Sequence, residues 1–228
     1  MDRIALVDAD VFVYRAAWAA NKEDEATAIR TFDSIVAEAV LLSECEEYQL
    51  YLTGKGNFRN KYAKTAPYKG NRKAVDPPIH KNALRSHALK NWDAILTVDE
   101  EADDAIAIEA TKRGLLNSIM VTIDKDFLQI PGLHFNPVKK EKKVMDYWSA
   151  TKFFYAQILT GDAVDNIIGI KGIGPVKAGK ILEDCMTEQE LYAECVKAYQ
   201  GDADRVIENA RLLWLRREDG QIWAPPEV

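Results

Sequence analysis

Cysteine is scarce in this chain of 228 residues: Cys45, Cys185 and Cys195 lie far apart. An odd, scattered set builds neither a disulfide frame nor a four-ligand zinc site, and it fits reduced, buried thiols. Histidine is equally rare, and His80, His87 and His134 show no metal-ligand spacing. No apolar run approaches the roughly 18 residues that span a bilayer, so no membrane partner is expected. The opening "MDRIALVDAD" lacks the basic flank and cleavage site of a secretory signal, which predicts a cytoplasmic protein. Internal repeats and low-complexity linkers are absent too. Hydrophobic residues at 47% and charged residues at 29% suffice for a packed globular core.

Positive charge is also in deficit, with a formal net charge of −6. Taken alone, that argues against nucleic acid as a partner. The distribution argues for it. From Lys55 to Lys73 there are seven Lys or Arg and no acid, and Lys81, Arg85 and Lys90 follow soon after. The acids collect in four short motifs, and without those eight carboxylates the rest of the chain is net positive. A basic surface around an acidic pocket is the expectation.

Apolar patterning gives short strands at 4–7, 48–53, 94–98 and 118–123, and helices at 25–43 and 101–114. Strands alternating with helices predict a mostly parallel α/β sheet, with the functional cleft off the carboxyl ends of its strands. From Ser149 to about Arg217 the pattern is helical. Ser149 is placed as the cap of a helix to Leu159, Pro175 as the first residue of a helix to Asp184, and two more helices fill 187–217.

Acids recur where the strands end. "DEEADD" puts five acids in six positions at a helix start, including Glu101, Asp103 and Asp104. The helix dipole accounts for one or two of them. More repel each other unless a cation sits between. "LVDAD" ends a strand on Asp8, for which a turn acid is the alternative. "TIDKDF" supplies Asp124 and Asp126, which share a face if the strand continues. "LTGDAVDN" supplies Asp162 and Asp165, which share a face of a helical turn. Carboxylates without His or Cys suit Mg²⁺ or Mn²⁺, and two such ions about 4 Å apart can activate water and stabilise the leaving oxygen of a phosphodiester.

Three glycines follow in "GIKGIGP", at 169, 172 and 174. Together Gly169, Gly172 and Gly174 let backbone approach a phosphate, the amides near Pro175 attract anions, and Lys171, Lys177 and Lys180 add charge. A plain helix–turn–helix packing joint is the alternative. In "YKGNRK", Lys69 and Arg72 are candidates to contact the scissile phosphate, against a solvated loop. Tyr68 is a candidate to stack on a base, against a packing role.

In order, "VDAD", "YKGNR", "EADD", "TIDKDF" and "LTGDAVDNIIGIKGIG" resemble the motifs of the 5′-nuclease family: phage 5′→3′ exonucleases, flap endonucleases and the 5′-nuclease domain of bacterial DNA polymerase I. The resemblance implies a PIN-like α/β catalytic domain over 1–158, a mostly parallel central sheet flanked by helices. It implies a basic arch within 55–90 and a helix–three-turn–helix (helix-hairpin-helix-like) module over 159–228 whose tail returns to the core. It implies a monomeric, Mg²⁺-dependent exonuclease and flap endonuclease that cuts DNA near 5′ ends and leaves 5′-phosphates. Asp8, Glu101, Asp103, Asp104, Asp124, Asp126, Asp162 and Asp165 match the family's metal-site acids, and Lys69 and Arg72 its gateway bases. The turn 169–174 matches its K⁺-assisted duplex grip. A non-catalytic DNA-binding scaffold and a PIN-type ribonuclease are the competing readings. One departure stands out. Where the family usually carries an aspartate after the second strand, this chain has Gly54. The lost carboxylate predicts weaker metal affinity, restored by Gly54→Asp.

Overall fold

A computed structural model describes residues 3–72 and 76–227; the stretch 73–75, which begins on the last lysine of the basic run, lies outside the described residues. Six strands form one sheet: β1 (Ile4–Asp8), β2 (Glu47–Lys55), β3 (Ile95–Val98), β4 (Ser118–Val121), β5 (Gly132–Asn136) and β6 (Glu141–Met145). Their spatial order is β3-β2-β1-β4-β5-β6. All neighbours are parallel except β5 and β6. The order reverses direction at β1, so the carboxyl ends of β1, β2 and β4 flank a topological switch point, where such sheets place their sites.

Helices α1 (Ala9–Ala19), α2 (Glu25–Ser43) and α3 (Lys81–Asn91) cover one face. Phe12, Val13, Ala16 and Ala17 of α1 recur at helical spacing and are fully buried with Phe32, Val36, Leu84 and the apolar side chains of β1 and β2. On the other face, α4 (Ala102–Arg113) buries Ile106, Ala107 and Ala110 against Leu6 and Met120. The C-terminal helices α5 (Tyr147–Thr160), α6 (Pro175–Ile181), α7 (Glu188–Ala198) and α8 (Ala203–Leu213) enclose a separate core around Phe154, Tyr155, Leu191 and Trp223. Among the described residues no helix is long and apolar enough to cross a membrane.

Several expectations shift. Helix α1 follows β1 directly, with Asp8 at its N-cap and no Gly or Pro to mark the change. Helix α3 buries only Leu84 and Ala88, and edge strand β6 exposes four of its five residues, so neither shows a strong periodicity. The cap of α5 is Asp146, which accepts from the Ser149 amide at 2.8 Å; Ser149 donates and does not cap. Helix α6 stops at Ile181, three residues short of the expected end.

Candidate active site

Four of the expected carboxylates reach one cleft because each sits where a strand or helix meets it. Asp8 ends β1. Glu101 is the N-cap of α4, and Asp103 lies in that helix's first turn. Asp124 follows β4 and caps a 3₁₀ turn (Lys125–Gln129), accepting from the Asp126 amide at 2.9 Å. The strand does not continue through 124–126, so this pair converges by a capped turn and not by strand alternation. All four line a cleft of about 460 Å³, with Asp10, Tyr14, Thr53, Gly54, Lys69, Arg72, Lys81 and Arg85 around them.

Beside it lie Asp126, Asp162 and Asp165. Asp126 Oδ1 accepts from Gln157 Nε2 at 2.6 Å. Asp162 sits not on a helix but in a hairpin of two two-residue strands, β7 (Gly161–Asp162) and β8 (Ile167–Ile168), with Asp165 in the turn. Asp162 Oδ1 accepts from the Val164 amide at 2.7 Å.

The acids are mutually unfavourable as they stand. Burial, then Asp10 and Asp124, push the Asp8 carboxyl up to about 7. Burial, then Asp124 and Asp162, push Asp126 up to about 7. Burial, then Asp104 and Glu101, hold Asp103 well above the ordinary carboxylate range. Burial also raises Asp124, with Asp165 and Asp162 adding to it. Carboxylates held together at such cost suit a hard divalent cation, whose charge would reverse these shifts. Among the described residues, however, no three acids stand at metal-ligand spacing. The protein's own cations sit among them. Lys69 Nζ contacts Glu101 and lies 3.7 Å from Asp165; Arg72 Nη2 lies 2.8 Å from Asp165; Lys125 Nζ lies 3.2 Å from Asp162. Burial opposes ionisation of Glu101, yet Lys69 and Arg59 outweigh it and its carboxyl falls below the usual range.

Two expected site residues play other parts. Asp104 is fully buried, and both its oxygens are held by Arg59, at 2.6 and 2.9 Å. That pairing makes it an anchor of α4 and not a cleft carboxylate. Tyr68 turns its hydroxyl inward, 2.8 Å from Glu101 Oε2 and 3.0 Å from Asp165 Oδ2, while its ring packs on the C-terminal core. Its hydroxyl bridges two acids, and its half-buried ring takes a packing role. Lys69 adopts a left-handed backbone (φ 56°), and its amide donates to the Asp165 carbonyl at 2.8 Å. That joins the basic loop to the acidic hairpin.

The glycine turn joins β8 to α6. Gly172 (φ 81°) and Gly174 face open space, so backbone is accessible there. Gly161 and Gly169 pack against each other: a Cβ on Gly161 would lie 2.3 Å from the Gly169 nitrogen. Lys177 Nζ donates to the Gly172 carbonyl at 2.9 Å, closing the turn on itself. Lys171 and Lys180 have no carboxylate partner among the described residues.

Arg59, Asp10 and Arg85 went unseen in the sequence as site residues. Arg59 lies within the basic run, where spacing does not separate a buried arginine from a solvated one. Asp10 stands two residues from Asp8, on the far side of an unannounced strand–helix junction.

The chain is similar to several known proteins. Residues 3–155 match the family model described as 5′-3′ exonuclease, N-terminal resolvase-like domain. DNA polymerase I of Rhizobium leguminosarum is 33% identical over 159 residues, covering 63% of this chain and 14% of that protein. Flap endonuclease Xni of Vibrio campbellii is 29% identical over 170 residues, covering 64% of this chain and 62% of the relative. The chain thus spans less than two thirds of these relatives' lengths. Among solved structures, T5 5′-exonuclease with bound zinc superposes with a TM-score of 0.68 at 16% identity, covering 92% of this chain and 89% of that one. The catalytic core of Rad2 in complex with DNA substrate gives 0.54 at 16% identity, covering 84% and 64%. These likenesses establish the α/β fold with its mostly parallel sheet.

Proposed function

This chain belongs to the 5′-3′ exonuclease, N-terminal resolvase-like family, and from that membership we propose that it hydrolyses phosphodiester bonds of DNA near 5′ ends, as a 5′→3′ exonuclease and flap endonuclease leaving 5′-phosphates. The observation that carries the reading is the cleft itself. Asp8, Glu101, Asp103 and Asp124 line it together, with Lys69 and Arg72 on its lip. Asp126, Asp162 and Asp165 stand beside them.

In this reading the seven carboxylates would hold two divalent ions, Mg²⁺ or Mn²⁺. Such ions supply an activated water and charge stabilisation at the leaving oxygen. The protein's own groups do the rest. Lys69 and Arg72 neutralise Glu101 and Asp165 when no substrate is present. A DNA phosphate entering the cleft offers the same two cations another anion, so they are placed to hold the scissile phosphate or its neighbour. Tyr68 keeps Glu101 and Asp165 in register. Beyond the cleft, Gly172, Gly174, Lys171, Lys177 and Lys180 would grip duplex backbone as a helix–three-turn–helix module, with K⁺ on the turn's carbonyls. The turn 169–174 exposes glycine backbone beside these lysines, which supports a sequence-independent contact.

End-labelled duplex and 5′-flap DNA digested with Mg²⁺, then with EDTA, test the proposal. Cleavage is expected with metal only, and it should vanish in Asp126→Ala while DNA binding in Ca²⁺ persists. Binding without cleavage in the unmodified protein would favour the scaffold reading, and cleavage of RNA alone the ribonuclease.

A further inference from the structure

Beyond the metal-site acids, one ion pair in the cleft has no role so far: Asp10, in the first turn of α1, and Arg85, on α3. Both line the cleft, and each side chain is about four-fifths buried (21% and 23% exposed). Their shared target is the backbone of one residue, Thr53, on both of its flanking peptides. The Thr53 amide donates to Asp10 Oδ2 at 2.7 Å, and Arg85 Nη2 donates to the Thr53 carbonyl. The other arm of the guanidinium, Nη1, binds Asp10 Oδ1. The pair therefore closes on the N–H and the C=O of the same residue.

Thr53 needs such a hold. The last residue of β2 paired with β1 is Tyr51, opposite Asp8, and pairing with β3 is interrupted between Leu52 and Lys55. Thr53 and Gly54 thus run past the end of β1 and lie in the irregular stretch opposite β3, leaving polar backbone that must find other partners. Asp10 and Arg85 take the place of the missing strand.

Thr53 in turn supports the acids. Its Oγ1 accepts from the Ala102 amide at 3.0 Å, in the first turn of α4 between Glu101 and Asp103. A continuous set of hydrogen bonds runs from Arg85 and Asp10 through Thr53 to the helix start that presents two of the cleft carboxylates.

We propose that Asp10 and Arg85 act as a positioning pair for the metal cleft, fixing Thr53 and, through it, the first turn of α4. The inference rests on the reading of that cleft as a divalent-metal site. Groups that orient metal ligands this way change metal affinity by about 10- to 100-fold when removed.

The test is Mn²⁺ binding, followed by the electron-spin-resonance signal of free Mn²⁺, on the whole protein. Asp10→Ala and Arg85→Met are each expected to weaken binding by about tenfold or more. The double variant should be no weaker than the worse single one, because the two side chains hold each other and both changes release the same residue, Thr53. Thr53→Val, which keeps shape and loses the acceptor for Ala102, should reproduce the loss with an unchanged circular dichroism spectrum. Three results overturn the pair while leaving the metal site standing: single variants that bind as the unmodified protein does, losses that add in the double variant, or a loss in Asp10→Ala with none in Arg85→Met, which would make Asp10 a direct ligand. An unmodified protein that binds no Mn²⁺ overturns the pair together with the functional reading.

Discussion

Arg59 grips Asp104 through two parallel hydrogen bonds, Nη1 to Oδ2 at 2.6 Å and Nη2 to Oδ1 at 2.9 Å, with side-chain exposures of 2% and 0%. Burial opposes the guanidinium charge, but Asp104 outweighs it and holds Arg59 well above its ordinary pKa. The same guanidinium donates to the carbonyls of Leu212 and Trp214, both at 2.9 Å, and the Arg216 amide donates to Asp104 Oδ1 at 3.2 Å. One buried pair thus ties the end of α8 and the residues after it to the start of α4. The helical C-terminal core and the acid-bearing helix share a joint.

Breaking that joint from one side should be severe. Arg59→Met leaves the Asp104 carboxylate buried without its partner, a situation that costs about 3–5 kcal/mol. Urea titration should show a loss of that order, and limited proteolysis should cut after Leu212. Arg59→Met with Asp104→Leu should recover part of the stability, since no buried charge then remains. A single variant within about 0.5 kcal/mol of the parent, the range of ordinary surface changes, would show that the pair is not a joint.

Gly54 behaves opposite to its reading in the sequence. The aligned motifs make it a lost metal-site aspartate, restored by Gly54→Asp. In the fold, a Cβ at Gly54 would lie 1.8 Å from the Thr97 carbonyl oxygen, a backbone atom that cannot swing aside. Its amide also donates to Thr97 Oγ1 at 3.2 Å. Gly54→Ala and Gly54→Asp should therefore both destabilise, by roughly the 1–3 kcal/mol of overpacking or more. Neither should tighten Mg²⁺ binding. A Gly54→Asp protein that melts with the parent and binds Mg²⁺ more tightly would reject this account.

The contrast shows what the sequence carries. Strong apolar runs such as "IALV" and "SIMV" announced β1 and β4, and motif order announced that Asp8, Glu101, Asp103 and Asp124 meet. Such signals are local or rest on residue type. What stayed hidden depends on partners far along the chain. Arg59 and Asp104 are 45 residues apart, and nothing in "EADD" tells the carboxylate that faces the cleft from the one that faces an arginine. Likewise, Asp126 reaches its place by a capped 3₁₀ turn whose sequence also suits a continuing strand. Only the packing of Thr97 against β2 reveals that Gly54 has no room for a side chain.

Protonation links the cleft to stability and to metal. Asp8 and Asp126 sit near 7 in the folded protein, chiefly through burial, against an ordinary value of 3.8. Between those values the folded, metal-free chain binds more protons than the unfolded one. Their contribution to stability is therefore whole below about 3.8 and is lost as the pH rises through about 7. A divalent ion binds the ionised carboxylates, so it competes with these protons, and its affinity should climb over the same range. An ion that binds only the folded state raises the melting temperature by mass action. Melting curves in millimolar Mg²⁺ should consequently show a larger metal-induced rise at pH 8 than at pH 5.5. Metal-free protein should lose stability between those two pH values on account of these groups. Asp126→Asn removes one of the raised acids and should flatten the pH dependence of the metal-induced rise. Equal rises at both pH values in the unmodified protein would mean that the raised carboxylates and the metal do not share a site.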